Sequence, residues 1–286
     1  MAAVRPIGRM GVAEARSPAR ARPGWLMVAL ATVALLFLGL PVVAIVARTI
    51  LSGALGEALS SPAVLDALVL SLVTTATSLL LTVVFGLPLA IVMARGRFRG
   101  STLLESVVDL PIVLPPSVAG LALLLVFGRT GLLGEPLAAF GIHIPFTTFA
   151  VVLAQTFVSA PFFILSARTG IASVDRDVED AARVDGAAEG QLLRQITLPL
   201  AGVALTAGLV MSWARALGEF GATIMFAGNV EGQTQTLPLL VYGEFTGGEL
   251  DRSIAAAAIL VLAAFGVLVA VRVLHWSRAL ELRGLG

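Results

Sequence analysis

The chain has 286 residues, of which 58% are hydrophobic and only 13% charged, with a mean hydropathy of +0.97 and a formal net charge of +1. Soluble domains carry about a quarter charged residues, so this composition excludes an ordinary soluble fold and points to a membrane protein. Cysteine is absent, which excludes a disulfide framework, a thiolate nucleophile and a cysteine-ligated metal; lysine is absent too, which excludes a Walker A motif with its phosphate-binding lysine.

In chain order, residues 1–22 are rich in Arg, Ala and Pro and are expected to form a disordered cytoplasmic tail. A membrane helix needs about 20 apolar residues to cross about 30 Å of hydrocarbon. Stretches free of Asp, Glu, Arg and Lys run over 23–47, 67–94, 110–128, 136–167, 195–214 and 253–271. The first is too long for the apolar region of a cleaved signal peptide and is expected to be retained. Gly86 and Pro88 fall in the second, and Pro111, Pro115 and Pro116 interrupt the third. The fourth begins with a loop through Gly141-Ile142-His143-Ile144-Pro145 and contains Pro161. Such residues serve close helix packing, or kinked helices that line a cavity and move; the sequence leaves both readings open. A short apolar segment, 220–230, is expected to extend or re-enter after the fifth span. The expectation is an all-α polytopic membrane protein with six transmembrane helices. One transmembrane domain covers 23–276, and a cytoplasmic tail covers 277–286.

Arginine placement orients these spans. With both termini cytoplasmic, the inside receives Arg5, Arg9, Arg16, Arg20, Arg22, Arg95, Arg97, Arg99, Arg168, Arg176, Arg183, Arg194, Arg272, Arg278 and Arg283. The outside receives only Arg48, Arg129 and Arg252, while Arg215 lies within a span. The positive-inside rule strongly favours that arrangement.

Between the fourth and fifth spans lies a polar insert, 172–199, read as helix, glycine break, helix. Ser173 or Asp175 can cap the first helix, and Asp175, Asp177, Glu179 and Asp180 suit its N-terminal dipole. Ala181 and Ala182 keep one surface flat, and Gly186 allows a sharp turn. Leu192, Leu193 and Ile196 form an apolar edge of the second helix ahead of Leu198 and Pro199. The spacing Asp180-Ala181-Ala182, Gly186, Ile196-Thr197-Leu198-Pro199 resembles the EAA loop of ABC-importer permeases, by which a membrane subunit grips its ATPase. The family's first residue is usually Glu; here it is Asp180, preceded by Glu179, which shortens the carboxylate's reach.

The fifth span ends in Arg215-Ala216-Leu217-Gly218-Glu219-Phe220-Gly221-Ala222-Thr223. Arg215 and Glu219 share a helix face and can neutralise each other, which a charge at membrane depth requires. An internal ion pair and a place beside an anion's path are both open. This string, with Thr234-Gln235-Thr236-Leu237-Pro238, Leu110-Pro111-Ile112-Val113-Leu114-Pro115-Pro116 and Phe127-Gly128-Arg129-Thr130-Gly131, resembles the permeases for molybdate, tungstate and sulfate. The likeness covers roughly residues 65–275, with GEFGATI most similar to the molybdate branch. It implies the type I ABC-importer permease fold and a homodimer. It also implies two separate ATPases that bind ATP and Mg, and an extracytoplasmic oxyanion-binding protein. Asp180, Ala181, Ala182, Gly186, Ile196, Leu198 and Pro199 would then contact the ATPase. Arg215, Glu219, Phe220, Gly221 and Thr223 would be pathway or gate candidates.

Other signals are weak. His143 and His275 are isolated and suggest no metal site, and Glu105 and Asp109 suit an interfacial position better than a proton relay. No catalytic constellation stands out, and neither a cofactor of this chain nor a nucleic-acid partner is expected. Alternatives are a sulfate or thiosulfate importer, an ATP-independent secondary anion transporter, and a membrane scaffold.

Overall fold

The structure, a computed structural model, describes residues 24–96 and 99–283. Among them there are helices and connecting loops and no strand. The tail expected over 1–22 lies outside the described residues. The chain divides into two compact units at Ala44/Ile45. Helix α1, Trp25–Leu51, is apolar on every face over its first part, as a helix surrounded by lipid requires.

In the second unit, α2 (Ala54–Ser60) leads into α3 (Pro62–Arg95), a helix of 34 residues. It packs along α7 (Thr148–Ala172), with which it runs in parallel. Small and polar residues hold this seam. Gln155 donates to Thr75 at 3.4 Å, Thr156 donates to Ser78 at 3.1 Å, and Gly86 lets the α7 residues Phe163 and Ile164 come close. Side-chain hydrogen bonds and glycine approaches of this kind associate helices where lipid removes the hydrophobic drive.

Helix α11 (Gly202–Leu217) lies antiparallel to α7 through a second small-residue seam. A Cβ on Gly170 would stand 2.4 Å from Ala204 Cβ, and one on Gly208 would stand 2.8 Å from Ser166 Cβ. Ser166 also donates to the Ala204 carbonyl at 2.7 Å.

The expected third span is two helices. α4 (Ser101–Val113) and α5 (Pro116–Phe127) meet at a bend of 118°. Pro116 forces Pro115 away from helical ψ, and Leu114 is already extended at ψ 131. α5 has 12 residues, so it rises only about 18 Å and cannot cross alone. The expected fifth span also bends, by 72°, between the stretch ending at Leu200 and α11. Among the described residues four helices are long and apolar enough to cross a membrane, and the total rises to six when each bent pair counts as one span.

The segment after α11 turns back as α12 (Gly221–Phe226), six residues packed against α5. α13 (Leu237–Thr246) and α14 (Leu250–Arg283) follow. The backbone of α14 thus stays helical through Arg283, past the point where a tail is expected. The ends of the second unit differ. One carries Arg95, the end of α7 and the polar insert. The other carries α2, the segment 128–147 with its short helix α6 (Gly134–Ala139) and the start of α14, where Arg48 pairs with Asp251 at 3.1 Å.

The seam between α7 and α11 yields a direct expectation. Gly208→Leu must push Ser166 and the α7 backbone aside, at a cost of about 1–3 kcal/mol. Gly202→Ala meets nothing within 4 Å and is expected to be neutral. Thermal unfolding of the detergent-solubilised protein should show a lowered Tm for the first variant only.

Candidate functional site

The insert folds as a hairpin of short helices. Asp175 caps α8 (Arg176–Val184) by accepting from the Asp177 amide at 3.0 Å. Ser173 instead closes α7, donating to the Gly170 carbonyl. Gly186 sits at φ +91, a left-handed turn that suits glycine and reverses the chain. α9 (Glu189–Leu192) then runs into a π-helical turn, Leu193–Thr197, and α10 (Leu198–Leu200) joins it to α11. A π turn carries wider hydrogen bonds than an α-helix and recurs at functional positions.

One polar node fastens this hairpin to the bundle. Glu179 is buried, and its Oε1 accepts from Arg95 Nη2 at 2.5 Å and from Thr197 Oγ1 at 2.6 Å. Arg95 Nη2 also lies 2.9 Å from Thr197 Oγ1. Three elements meet there: the end of α3, the first insert helix and the π turn that leads into α11. The neighbouring Asp180 is turned outward, its side chain 69% exposed, and pairs only with Arg183 at 2.7 Å. Glu179 therefore makes the buried contact, and Asp180 is left on the exposed side. Motif spacing alone does not distinguish these adjacent carboxylates; the helical phase does, once Arg95 is known to be opposite.

Arg183 braces the hairpin. Its Nη1 reaches Asp180, and its Nε reaches Glu189 across the Gly186 turn at 2.7 Å. These hydrogen bonds, first to Glu189 and then to Asp180, hold the guanidinium pKa above its ordinary value. The same bond from Arg183 holds the Glu189 carboxyl below the usual carboxylate range.

The outward face of α8 is unusual for so charged a helix. Val178, Ala181 and Val184 recur at helical spacing and are all exposed, Val184 to 88%. Ala182 is half-buried and Gly186 exposed. Beyond the turn Leu192 is fully buried, Leu193, Ile196 and Leu198 are half-buried, and Pro199 is exposed. The sequence-predicted contact residues Asp180, Ala181, Gly186 and Pro199 are thus all exposed.

At the far end of α11, the second predicted cluster is also assembled. Glu219 is 1% exposed; its Oε2 lies 2.6 Å from Arg215 Nη1, a close ion contact, and its Oε1 accepts from the Ala222 amide at 2.7 Å. One carboxylate thereby neutralises Arg215 and satisfies the first turn of α12. α12 lies so close to α5 that a Cβ on Gly120 would stand 2.6 Å from the Ala222 carbonyl oxygen. A Cβ on Gly221 would stand 2.8 Å from Pro116 Cβ. Phe220 stacks at a tilt on Tyr242 with centroids 5.0 Å apart, and Thr223 is buried, its hydroxyl without a hydrogen-bond partner among the described residues. Glu219 and Thr223 are buried in this single chain, whereas Phe220 and Gly221 keep partial access. Among the described residues no group of acids and histidines could hold a metal ion.

Two expectations follow from the node and the brace. Glu179→Ala leaves Arg95 without its counter-charge and should cost about 1–3 kcal/mol, discounted because Arg95 is partly exposed, whereas Asp180→Ala should stay within about 0.5 kcal/mol. Hydrogen exchange should accelerate across residues 173–200 in the first variant and not in the second. For the brace, a lowered Glu189 pKa contributes stability above the usual carboxylate range, and that stability is lost as pH falls through the lowered value. Protection factors over 183–189, taken relative to the intrinsic exchange rate at each pH, should fall in acid for the natural chain, and Arg183→Ala should flatten this dependence.

Residues 86–280 match the family of binding-protein-dependent transport system inner membrane components. The chain is 41% identical over 242 residues to the molybdenum transport system permease protein ModB of Mycobacterium tuberculosis, covering 85% of this chain and 90% of that one. It is 33% identical over 219 residues to the sulfate transport system permease protein CysT of Escherichia coli, covering 77% and 79%. A solved bacterial ABC transporter involved in the import of the acidic polysaccharide alginate has a similar fold, with TM-score 0.70 and 18% identity over 89% of this chain and 96% of that one.

Proposed function

The chain belongs to the inner membrane components of binding-protein-dependent transport systems, and we propose that it forms the pathway of an ATP-driven importer for a tetrahedral oxyanion, molybdate with tungstate. The cargo rests on one observation: the chain is more similar to molybdenum permeases than to a sulfate permease, over most of its length. The GEFGAT string at Gly218–Thr223 points the same way. The insert faces the cytoplasm, with both termini on that side, and a separate ATPase binds ATP and Mg there. Two copies of the chain form the pathway, and an extracytoplasmic binding protein delivers the anion to the opposite end.

The hairpin suits the coupling role. A helix with Val178, Ala181 and Val184 exposed offers an apolar, low-relief face to a groove on a partner, and Gly186 keeps its end blunt. Asp180 and Pro199 lie beside it. Movement of the ATPase pulls this face, and the Glu179 node passes the pull to α3 and, through the π turn, to α11. At its far end α11 carries Arg215, with Glu219 just past its last turn, and beyond them lie the paired short helices α12 and α5. ATP drives the pathway only if it binds the closed arrangement of ATPases better than the open one, since a ligand shifts only an equilibrium it binds differentially.

The permease, ATPase and binding protein, reconstituted together in vesicles, should accumulate molybdate only when ATP is supplied. Tungstate should compete strongly, and sulfate at least tenfold more weakly, which corresponds to about 1.4 kcal/mol of discrimination. Equal competition by sulfate would favour a sulfate importer instead. Robust uptake by the permease alone under an ion gradient would overturn the ATP-driven reading. Gly186→Trp should abolish ATPase co-purification while leaving membrane insertion intact.

A further inference from the structure

The end of the bundle away from the insert holds a cavity of about 470 Å³. Its wall is mostly apolar, formed by Leu124, Phe127, Ile142, Pro145 and Phe146, and two cationic-type side chains line it, Arg129 and His143. No acidic residue does. Both polar side chains belong to exposed residues, so the cavity opens to water. At this end Arg48 is neutralised by Asp251, whereas Arg129 and Arg252 have no ion-pair partner among the described residues.

The backbone around the cavity is built tightly. Arg129 sits in a turn so compact that a Cβ on Gly134 would overlap the Gly128 carbonyl oxygen, at 1.6 Å. The amides of Leu132 and Leu133 are tied back to the Leu125 and Val126 carbonyls. On the other wall Phe146 takes φ +61, a left-handed conformation costly for an aromatic residue, and its amide donates to Phe226 of α12 at 3.3 Å. Gly228 accommodates the Phe146 ring, which would lie 3.1 Å from a Cβ there. The loop that carries His143 is therefore tied to the same short helix that packs on α5.

We propose that this Arg129–His143 cavity is a reception site for the oxyanion on its way into the pathway. The inference rests on the reading of the chain as an oxyanion importer whose insert faces the ATPase. A guanidinium offers a planar fork of donors to tetrahedral oxygens, and an imidazole N–H adds a third. Apolar walls strengthen both attractions relative to open water. A liquid water occupies about 30 Å³, so the cavity takes an anion together with several of its waters. An open, hydrated site binds weakly, which suits an anion that must leave again. The tie from Phe146 to α12 places the site next to the short-helix pair at the end of α11.

The test uses the complete assembly of permease, ATPase and binding protein in vesicles, with molybdate as the probe. Arg129→Ala should lower molybdate uptake at least tenfold at saturating binding protein, and Arg129→Lys should restore much of it because the charge returns. His143→Ala should lower uptake less, and the double variant most. ATPase co-purification and the affinity of the assembly for anion-free binding protein should match the natural chain. Unchanged uptake in Arg129→Ala overturns the proposal. So does a variant whose only defect is weaker docking of the binding protein, with normal uptake once that protein saturates. If the natural assembly moves no oxyanion at all, the importer reading fails rather than this site. A thermal unfolding midpoint matching the natural chain shows that the loop variants fold.

Discussion

The fold of the polar insert depends on a buried carboxylate. Glu179 stands where the first insert helix, the end of α3 and the π turn before α11 converge, and one of its oxygens holds both Arg95 and Thr197. A charge at the edge of a membrane domain is costly unless paired and hydrogen-bonded. Here the pairing is also the joint. Without it the hairpin keeps its chain connections, the Arg95–Thr197 contact and the buried Leu192, but loses the carboxylate that ties its first helix to the other two elements. The wider hydrogen bonding of the π turn gives that joint a place to bend.

Beyond the joint, α11 works as a rigid strut because glycines at 170 and 208 let it lie close against α7. At its end the Arg215–Glu219 pair neutralises itself and caps α12, so the charge is fixed where the chain turns back. α12 and α5 touch through Gly120, Ala222, Gly221 and Pro116 with almost no side chain between them. Two short helices packed backbone to backbone move together or not at all. That constraint connects the end of α11 to the cavity beside Arg129, since the Phe146 amide is bonded to α12.

Most of this architecture is legible in the sequence because the bilayer demands long charge-free stretches and interrupts them with arginine. The helical hairpin is legible for a similar reason: a cap at Asp175, small residues at 181–182 and a glycine at 186 each have a local cause. What is not legible depends on distant partners. The prolines at 115 and 116 foretell a break, but the 118° angle follows from the fit of α5 against α12. The spacing of the insert assigns the leading carboxylate to Asp180, whereas burial of its neighbour depends on Arg95, 84 residues earlier in the chain. His143 stands alone in the sequence and gains a companion only when the loop folds beside Arg129.

The natural absence of cysteine makes the central claim directly measurable, because single cysteines carry spin labels without background. Labels at Val184→Cys report the insert helix, and labels at Val203→Cys, 82% exposed on α11, report the bundle. In the assembly with its ATPase, distances between the two copies should change at both positions on binding ATP. With Glu179→Ala added, the change at 184 should persist and the change at 203 should vanish. An undiminished change at 203 in that variant would contradict the account, because motion would then reach α11 without the node.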